Sequence, residues 1–191
     1  MIFKPMAIAL VHHPVLDRRG DVVTSAVTNL DIHDLARLAT TYNLSRYYLV
    51  TPAAEQQRLA SRIVSHWQQG AGASYNPDRC HALDCVQIMN SFAEALADWR
   101  CLAGPEGLAL LTGARHQEGL DYPQAQTLAT TRPIMLVLGT GHGLALDIYE
   151  SDRPCLAAVR AGRYNHLSVR TAAAIMLDRL IGEQGSVLTL A

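Results

Sequence analysis

Six short apolar runs alternate with segments of helical periodicity along this chain, and this pattern restricts the fold more than any other feature. The runs are continuous rather than alternating, which is typical of parallel strands covered on both faces. We predict strands at 7–12, 46–51, 82–88, 107–113, 134–139 and 155–159. We predict helices at 31–43, 53–69, 91–103, 122–131 and 168–182. The glycine-containing stretch 70–78 is predicted to be a loop. These segments together predict an α/β fold.

Composition favours one domain. The chain has 191 residues, 49% of them apolar, which suits a single domain over residues 1–191 with a well-buried core. The formal net charge is −1, so a nucleic-acid partner would require local clusters of basic side chains. The four cysteines lack C-x-x-C spacing, and a zinc site built on them is not expected. The apolar run that ends at His12 is too short to span a membrane, which favours a cytoplasmic protein.

The most informative segment is Leu136–Leu144, where a buried-strand pattern leads directly into three glycines at alternate positions. Such a loop allows a ligand to approach the backbone closely. Its G-x-G-x-G spacing differs from the dinucleotide-binding fingerprint, and no G-K-[ST] follows as in a phosphate-binding P-loop. The alternative is a glycine turn with a structural role only.

Three segments together resemble the SPOUT methyltransferases. The glycine segment "LVLGTGHGL" at 136–144 is similar to the family's L-x-L-G-x-E-x-G-L, with His142 where the acidic residue is usual. The segment "YNHLSVRTAAAI" at 164–175 is similar to S-L-N-V-S-V-A-A-A-I, and "TNLDIHDLAR" at 28–37 to N-P-G-N-I-G-A-I-A-R. More narrowly, "LVHHPVLDRRGDVVTSAVTNLDIHD" and "HWQQGAGASYNPDR" resemble a bacterial subgroup described as SAM-dependent RNA methyltransferases and related to the tRNA guanine-N1 enzymes.

This resemblance implies a SPOUT-type α/β knot, with a mostly parallel sheet of about six strands, flanking helices and a deep C-terminal trefoil knot. It implies a homodimer that binds S-adenosylmethionine (SAM), uses no metal, and methylates a base or ribose position of RNA, with tRNA as the expected substrate. The implied cofactor contacts lie in three loops. They are Thr112, Gly113, Leu138, Gly139, Thr140, Gly141, Gly143, Val159, Gly162, Asn165, Leu167 and Ser168.

Two residues of the first motif are the catalytic candidates implied by the resemblance. Arg37 matches the arginine that is thought to assist hydroxyl activation in related ribose 2′-O enzymes, and its alternative role is a surface or phosphate-binding arginine. Asp31 is a candidate proton acceptor if the target is guanine N1. Its alternative role is structural, because an acidic residue in the first turn of a helix interacts favourably with the helix dipole.

Phosphate contacts are expected from basic residues near the implied site, although ordinary surface charge is the alternative for each of them. The candidates are Arg18, Arg19, Arg115, His116 and Arg163. Two other functions remain open: a SAM-binding regulatory or non-catalytic partner subunit, and a metal-dependent hydrolase. The hydrolase would use His12, His13, His33, Asp34 and Asp17. However, neighbouring residues of a strand project to opposite sides, so His12 and His13 do not form a ligand pair.

Overall fold

The computed structural model describes residues 1–114, 119–149, 153–159, 164–182 and 186–187. The strands are β1 Ile2–Phe3, β2 Met6–Val11, β3 Val15–Leu16, β4 Val22–Val23, β5 Arg46–Val50, β6 Val86–Met89, β7 Leu108–Leu111, β8 Ile134–Gly139 and β9 Ser186–Val187. The helices are α1 Asn29–Thr41, α2 Ala54–Gln68, α3 Ala71–Tyr75, α4 Pro77–Leu83, α5 Phe92–Ala103, α6 Tyr122–Thr131 and α7 Val169–Ile181.

Five of these strands form the main sheet, in the order β6-β5-β2-β8-β7, and every neighbouring pair is parallel. The central strand β2 is buried throughout and pairs with β8 from Met6–Ile134 to Val11–Gly139. The predicted mostly parallel α/β sheet is therefore confirmed. Two small sheets accompany it, the parallel pair β1-β9 and the antiparallel hairpin β3-β4.

Both faces of the main sheet are covered, which explains why its strands are apolar without alternation. On one face, Ile8, Leu10 and Leu136 pack in a core that includes residues of α1, α6 and α7. On the other face, residues such as Ala9 and Val137 pack against α5, where the indole of Trp99 is fully buried. Among the helices that the structure describes, none combines the length and apolarity that a membrane crossing needs.

Three sequence expectations differ from the structure. The segment 155–159 forms no extended strand; its described contacts are isolated bridges from Cys155 to Leu111 and from Leu156 to Leu120, because it meets two different segments in turn. The run 82–88 begins inside a helix. The predicted loop 70–78 contains α3 and the start of α4, since the Asn76 side chain accepts a hydrogen bond from the Arg79 amide and Pro77 follows as the first helical residue.

These differences leave a main sheet of five strands within the described part of the chain, one fewer than expected. The trefoil knot implied by the resemblance stays a prediction, because the knot turn includes residues 160–163, which lie outside the described ranges.

Candidate active site

A cleft of about 1240 Å³ opens at the carboxyl end of the sheet, beside β7 and β8 and against the start of α7. The strand order reverses between β2 and β8, because the chain runs from β2 outward to β6 and then returns through β7 at the opposite edge. Ligands of open parallel sheets bind in the crevice outside the carboxyl ends of the strands at such a reversal. The glycine loop after β8 lies at this position.

Three chain segments converge on the cleft: the end of β7, the glycine loop and the segment before α7. The Asn165 side-chain amide donates to the Ala114 carbonyl at 2.8 Å, which joins the segment before α7 to the end of β7. The Thr112 hydroxyl donates to the Val137 carbonyl at 2.9 Å, which joins the end of β7 to β8. Ten of the predicted cofactor residues line the cleft, namely Thr112, Gly113, Leu138, Gly139, Thr140, Gly141, Gly143, Val159, Asn165 and Leu167.

The other two predicted cofactor residues are placed differently. Ser168 does not line the cleft; its hydroxyl accepts a hydrogen bond from the Thr171 amide and caps the start of α7, as a serine at that position is expected to do. Gly162 lies outside the described residues.

The glycine loop is fixed in shape by the strand that follows β2. The His142 amide donates to the Leu16 carbonyl at 2.8 Å, and the Leu16 amide donates to the Gly143 carbonyl at 2.9 Å. Gly141 has a φ of +58°, and a Cβ at this position would lie 2.8 Å from the Leu16 carbonyl oxygen. Gly143 has a φ of +112°, and a Cβ there would meet no atom within 4 Å. The backbone at Gly143 is therefore open to a ligand, whereas Gly141 is required by the turn itself.

The lining suits a ligand with apolar parts and with polar groups that can bond to the backbone. Apolar side chains of Leu138, Leu144 and Met176 lie beside exposed stretches of backbone in the glycine loop. Small-molecule sites of about 300–1000 Å³ are typically apolar with a few polar groups that fix orientation. The cleft exceeds this range, which leaves room for part of a second substrate.

A chain of hydrogen bonds runs from the cleft into the protein. The Thr140 hydroxyl donates to the Val11 carbonyl at 3.1 Å and lies 2.5 Å from the Ser25 hydroxyl. The Ser25 hydroxyl in turn lies 2.9 Å from Nδ1 of His12, and the tautomer of the imidazole decides which of the two donates; Nε2 is the other ring nitrogen. This Nε2 is buried and has no hydrogen-bond partner among the described residues. Burial lowers the pKa of His12 to about 4, against an opposing effect of Asp31.

Asp31 lines the cleft at the first turn of α1 and is held from two sides. The Thr28 hydroxyl donates to its Oδ2 at 2.6 Å, and Nη1 of Arg170 on α7 donates to its Oδ1 at 2.9 Å. The same guanidinium contacts Asp34, with Nε 3.2 Å from Oδ2. The Asp31 side chain is only 9% exposed, so its position is well defined.

Arg37 does not lie in the cleft. It is six residues beyond Asp31, which places it about 120° away around the α1 axis, and its side chain is exposed. Its charge acts instead on His33, which precedes it by one helical turn. The geometry of this chain therefore gives no support to the catalytic role expected for Arg37.

The predicted phosphate contacts are only partly described. Arg18 and Arg19 are exposed at the tip of the β3-β4 hairpin, where Asp17 accepts a hydrogen bond from the Arg19 amide at 2.7 Å. This hairpin borders the cleft through Leu16. Arg115, His116 and Arg163 lie outside the described residues.

Sequence comparison identifies the kind of protein to which this cleft belongs. The family model for SAM-dependent RNA methyltransferases matches residues 5–182. The chain belongs to this family. The tRNA (guanine-N(1)-)-methyltransferase of Oleidesulfovibrio alaskensis is 40% identical over 176 residues, which cover 92% of this chain and 41% of that protein. The chain thus spans about two fifths of the length of this curated relative.

Two further proteins are similar to this chain. A protein of Aquifex aeolicus is 33% identical over 184 residues, covering 94% of this chain and 90% of the relative. The SpoU methyltransferase AviRb of Streptomyces viridochromogenes, solved with AdoMet, aligns with a TM-score of 0.59 at 14% identity and covers 93% of this chain and 57% of that chain. This structural likeness shows a shared fold and confirms the SPOUT assignment.

The histidines near the cleft form hydrogen bonds with neighbouring side chains. No group of three potential metal-ligating side chains exists in the ranges that the structure describes. His12 is buried and contacts Ser25, whereas His13 is 3.1 Å from the Thr24 hydroxyl. The two imidazoles therefore point to different partners, as their neighbouring positions in the sequence predicted.

Two residues, one in the cleft and one beside it, were not predicted from the sequence. Ser25 lies in an irregular segment and carries no local signal. Arg170 does carry one: it is the second residue of α7, where a positive charge is disfavoured by the helix dipole. A cation at that position indicates a nearby anion, and the structure supplies Asp31 and Asp34.

Proposed function

We propose that this chain binds SAM in the cleft and transfers the SAM methyl group to RNA, with tRNA as the substrate class. The observation that carries the proposal is the convergence of the end of β7, the glycine loop and the segment before α7 at the reversal of strand order. Membership in the RNA methyltransferase family supports the reaction. The Oleidesulfovibrio relative supports tRNA, and makes guanine N1 the first acceptor atom to test.

Bound SAM supplies a methyl group made electrophilic by its sulfonium. The protein then has to position the acceptor atom in line with that methyl group and to take up one proton. We assign cofactor binding to the backbone of the glycine loop and of Thr112–Ala114. Apolar side chains such as Leu138 and Leu167 shield the site from water.

The acceptor side of the cleft is assigned to Asp31. Its carboxylate faces the cleft, and each of its oxygens retains a lone pair after the bonds to Thr28 and Arg170. An acceptor such as the N1–H of guanine can donate to such a carboxylate and later release its proton to it. Arg170 is a positioning residue, because it fixes the orientation of this carboxylate without lining the cleft.

We further propose a homodimer in the cytoplasm, where tRNA substrates are found. Apolar side chains near the cleft remain exposed in the single chain, which marks a surface for association. They are Leu30, Leu146, Tyr164 and Leu167, with 59%, 81%, 78% and 43% exposure. A second copy would cover them.

The test is methyl transfer from isotope-labelled SAM to unfractionated bacterial tRNA, followed by digestion to nucleosides. We expect label in one modified nucleoside and a kcat at least about tenfold lower for Asp31→Asn. Asp34→Asn is the matched control, because Asp34 contacts the same Arg170 but is 49% exposed. Binding of SAM without any labelled nucleoside would contradict the proposal and favour a SAM-binding regulatory subunit.

A further inference from the structure

A cluster of imidazole and guanidinium groups surrounds Trp67, on the face of the molecule formed by α1, α2 and α4. The His33 ring meets the indole edge-on at 5.7 Å, and the His66 ring does so at 5.3 Å. The guanidinium carbon of Arg79 lies 4.3 Å from the indole centroid. Gly72 completes the packing, because a Cβ there would lie 2.7 Å from the indole. Trp67 therefore holds three nitrogen-rich side chains in fixed positions.

Arg37 extends this cluster along α1. It follows His33 by four residues, so both side chains lie on the same face of the helix. Arg37 and Arg79 both act to lower the pKa of His33, after the larger effect of burial, which places both charges close to that ring. We call the set of His33, Arg37, His66, Trp67 and Arg79 the indole-centred basic surface.

This surface carries positive charge that the described residues do not neutralise. Within the described ranges, neither Arg37 nor Arg79 forms a salt bridge, whereas Arg58 on α2 is paired with Glu55 and Arg170 with two carboxylates. The nearest acid on α1, Asp34, is already engaged by Arg170. Asp78 is the acidic neighbour of Arg79 on α4, in the first turn of that helix. For a chain whose net charge is −1, two arginines that form no salt bridge within the described ranges and both act on His33 are a local concentration of positive charge.

Helix α1 connects this surface with the candidate active site. Asp31 lines the cleft at the first turn of α1, and Arg37 lies six residues further along, about 9 Å along the helix axis. At the end of α3, the ring of Tyr75 is 85% exposed, close in sequence to the α4 residues that complete the surface. Basic side chains contact the phosphates of an RNA strand, and an exposed aromatic ring such as that of Tyr75 is a group on which a base can stack.

We infer that the indole-centred basic surface binds the phosphate backbone of the RNA next to the methylated nucleotide. The inference rests on the proposed function and adds to it a second contact region, outside the cleft. In this arrangement Arg37 and Arg79 contact phosphates, Trp67 holds Arg79 in place, and Asp31 lies where the strand enters the cleft. Contacts of this kind fix the placement of the RNA and do not depend on its sequence.

The experiment compares Arg37→Ala, Arg79→Ala and Arg79→Lys with the control Arg58→Ala. Arg58 is an exposed arginine on α2 whose charge is already paired with Glu55. Binding of unfractionated bacterial tRNA is measured by fluorescence anisotropy at several salt concentrations, and SAM binding is measured separately by calorimetry. Unfolding curves verify that each variant is folded.

We expect Arg37→Ala and Arg79→Ala each to weaken tRNA binding by roughly fivefold and to reduce the slope of log Kd against log salt by about 0.7 to 1. Arg79→Lys should retain part of the affinity because it keeps the charge, and Arg58→Ala should match the wild type. The affinity for SAM should be the same in all four variants.

Three results would overturn the inference. If Arg37→Ala and Arg79→Ala bind tRNA as tightly as Arg58→Ala while the wild type methylates tRNA, the surface is not an RNA contact and the proposed function stands. If Arg37→Ala lowers kcat at saturating tRNA without weakening tRNA binding, Arg37 serves catalysis instead. If the wild type binds SAM but no tRNA, the proposed substrate class fails together with this inference.

Discussion

His12 shows at the residue scale how strongly the fold controls the state of a side chain beside the cleft. Its Nδ1 is committed to Ser25 and its Nε2 is buried without a partner among the described residues. A charged imidazole there would lose its hydration with little compensation, which is why burial lowers the pKa to about 4. The neutral ring in turn orients the Ser25 hydroxyl that lines the cleft.

This depressed pKa predicts a loss of stability in mild acid. In the unfolded chain the imidazole takes up a proton near its ordinary pKa of about 6.5, so the unfolded state binds more protons as the pH falls from there toward 4. The stability that comes from the neutral His12 ring is therefore fully present above pH 6.5 and decreases below that pH. Between pH 7.5 and 5, the free energy of unfolding should drop by about 2 kcal/mol more in the wild type than in His12→Asn.

Urea unfolding at the two pH values measures this difference. Asparagine is the matched replacement because its neutral side-chain amide can still form a hydrogen bond with Ser25. The variant His33→Asn serves as a control for the second histidine whose pKa is lowered, again mainly by burial. An identical pH dependence in wild type and His12→Asn would show that His12 is not the group responsible.

At the scale of elements, the contact between α1 and α7 is the one that positions the proposed proton acceptor. Arg170 joins the first turns of both helices through Asp31 and Asp34. Arg170→Ala would leave the largely buried Asp31 with Thr28 as its remaining side-chain partner. Removal of one partner of a buried charged pair is strongly destabilising, because the other charge remains desolvated.

We therefore expect Arg170→Ala to lower the free energy of unfolding by about 1–3 kcal/mol. Asp34→Asn, at a site that is half exposed, should change it by no more than about 0.5 kcal/mol. Both values can be measured by urea denaturation at pH 7.5. Equal effects of the two substitutions would show that the Arg170–Asp31 pair contributes no more to the free energy of unfolding than the exposed contact with Asp34.

The elements of the core were predictable because each is defined by a local pattern. The helix predicted at roughly 122–131 is α6, and Ile134–Gly139 matches the predicted fifth strand. The errors arose where tertiary context decides. The apolar run 155–159 has the composition of a strand, yet it bridges two different segments and has no single neighbour with which to form a ladder. The stretch 70–78 contains three glycine or proline residues but packs around Trp67, which makes two short helices favourable.

At the scale of the whole molecule, the cofactor side of the site was more predictable than the acceptor side. The glycine loop is one continuous segment with an unusual composition, so its role could be inferred from the sequence alone. The acceptor side combines Ser25, Asp31 and Arg170 from three distant segments. Their meeting depends on the packing of α7 against α1, which no local pattern encodes. For the same reason, the first motif could not show whether Arg37, a catalytic candidate by resemblance, lies in the cleft, which this exposed residue does not line.

The distribution of charge also becomes visible only at the scale of the whole molecule. A chain with 16 basic and 17 acidic residues appears neutral as a sum. The fold nevertheless pairs some arginines with carboxylates, places Arg79 over the ring of Trp67 and leaves Arg18 and Arg19 exposed at the β3-β4 hairpin. If the chain binds RNA as proposed, it has to do so through such local positive charges, and their number doubles in the proposed homodimer.

The most direct test of the account is calorimetric titration of SAM into the wild type, Gly141→Ala and Gly20→Ala. Both glycines have positive φ, but a Cβ at Gly141 meets the Leu16 carbonyl at 2.8 Å, whereas a Cβ at Gly20 meets nothing within 4 Å. We predict one SAM site per chain, an affinity at least about tenfold lower in Gly141→Ala, which corresponds to about 1.4 kcal/mol, and no change in Gly20→Ala. Absence of SAM binding to the wild type, or equal binding by Gly141→Ala, would contradict the placement of the cofactor in the glycine-loop cleft.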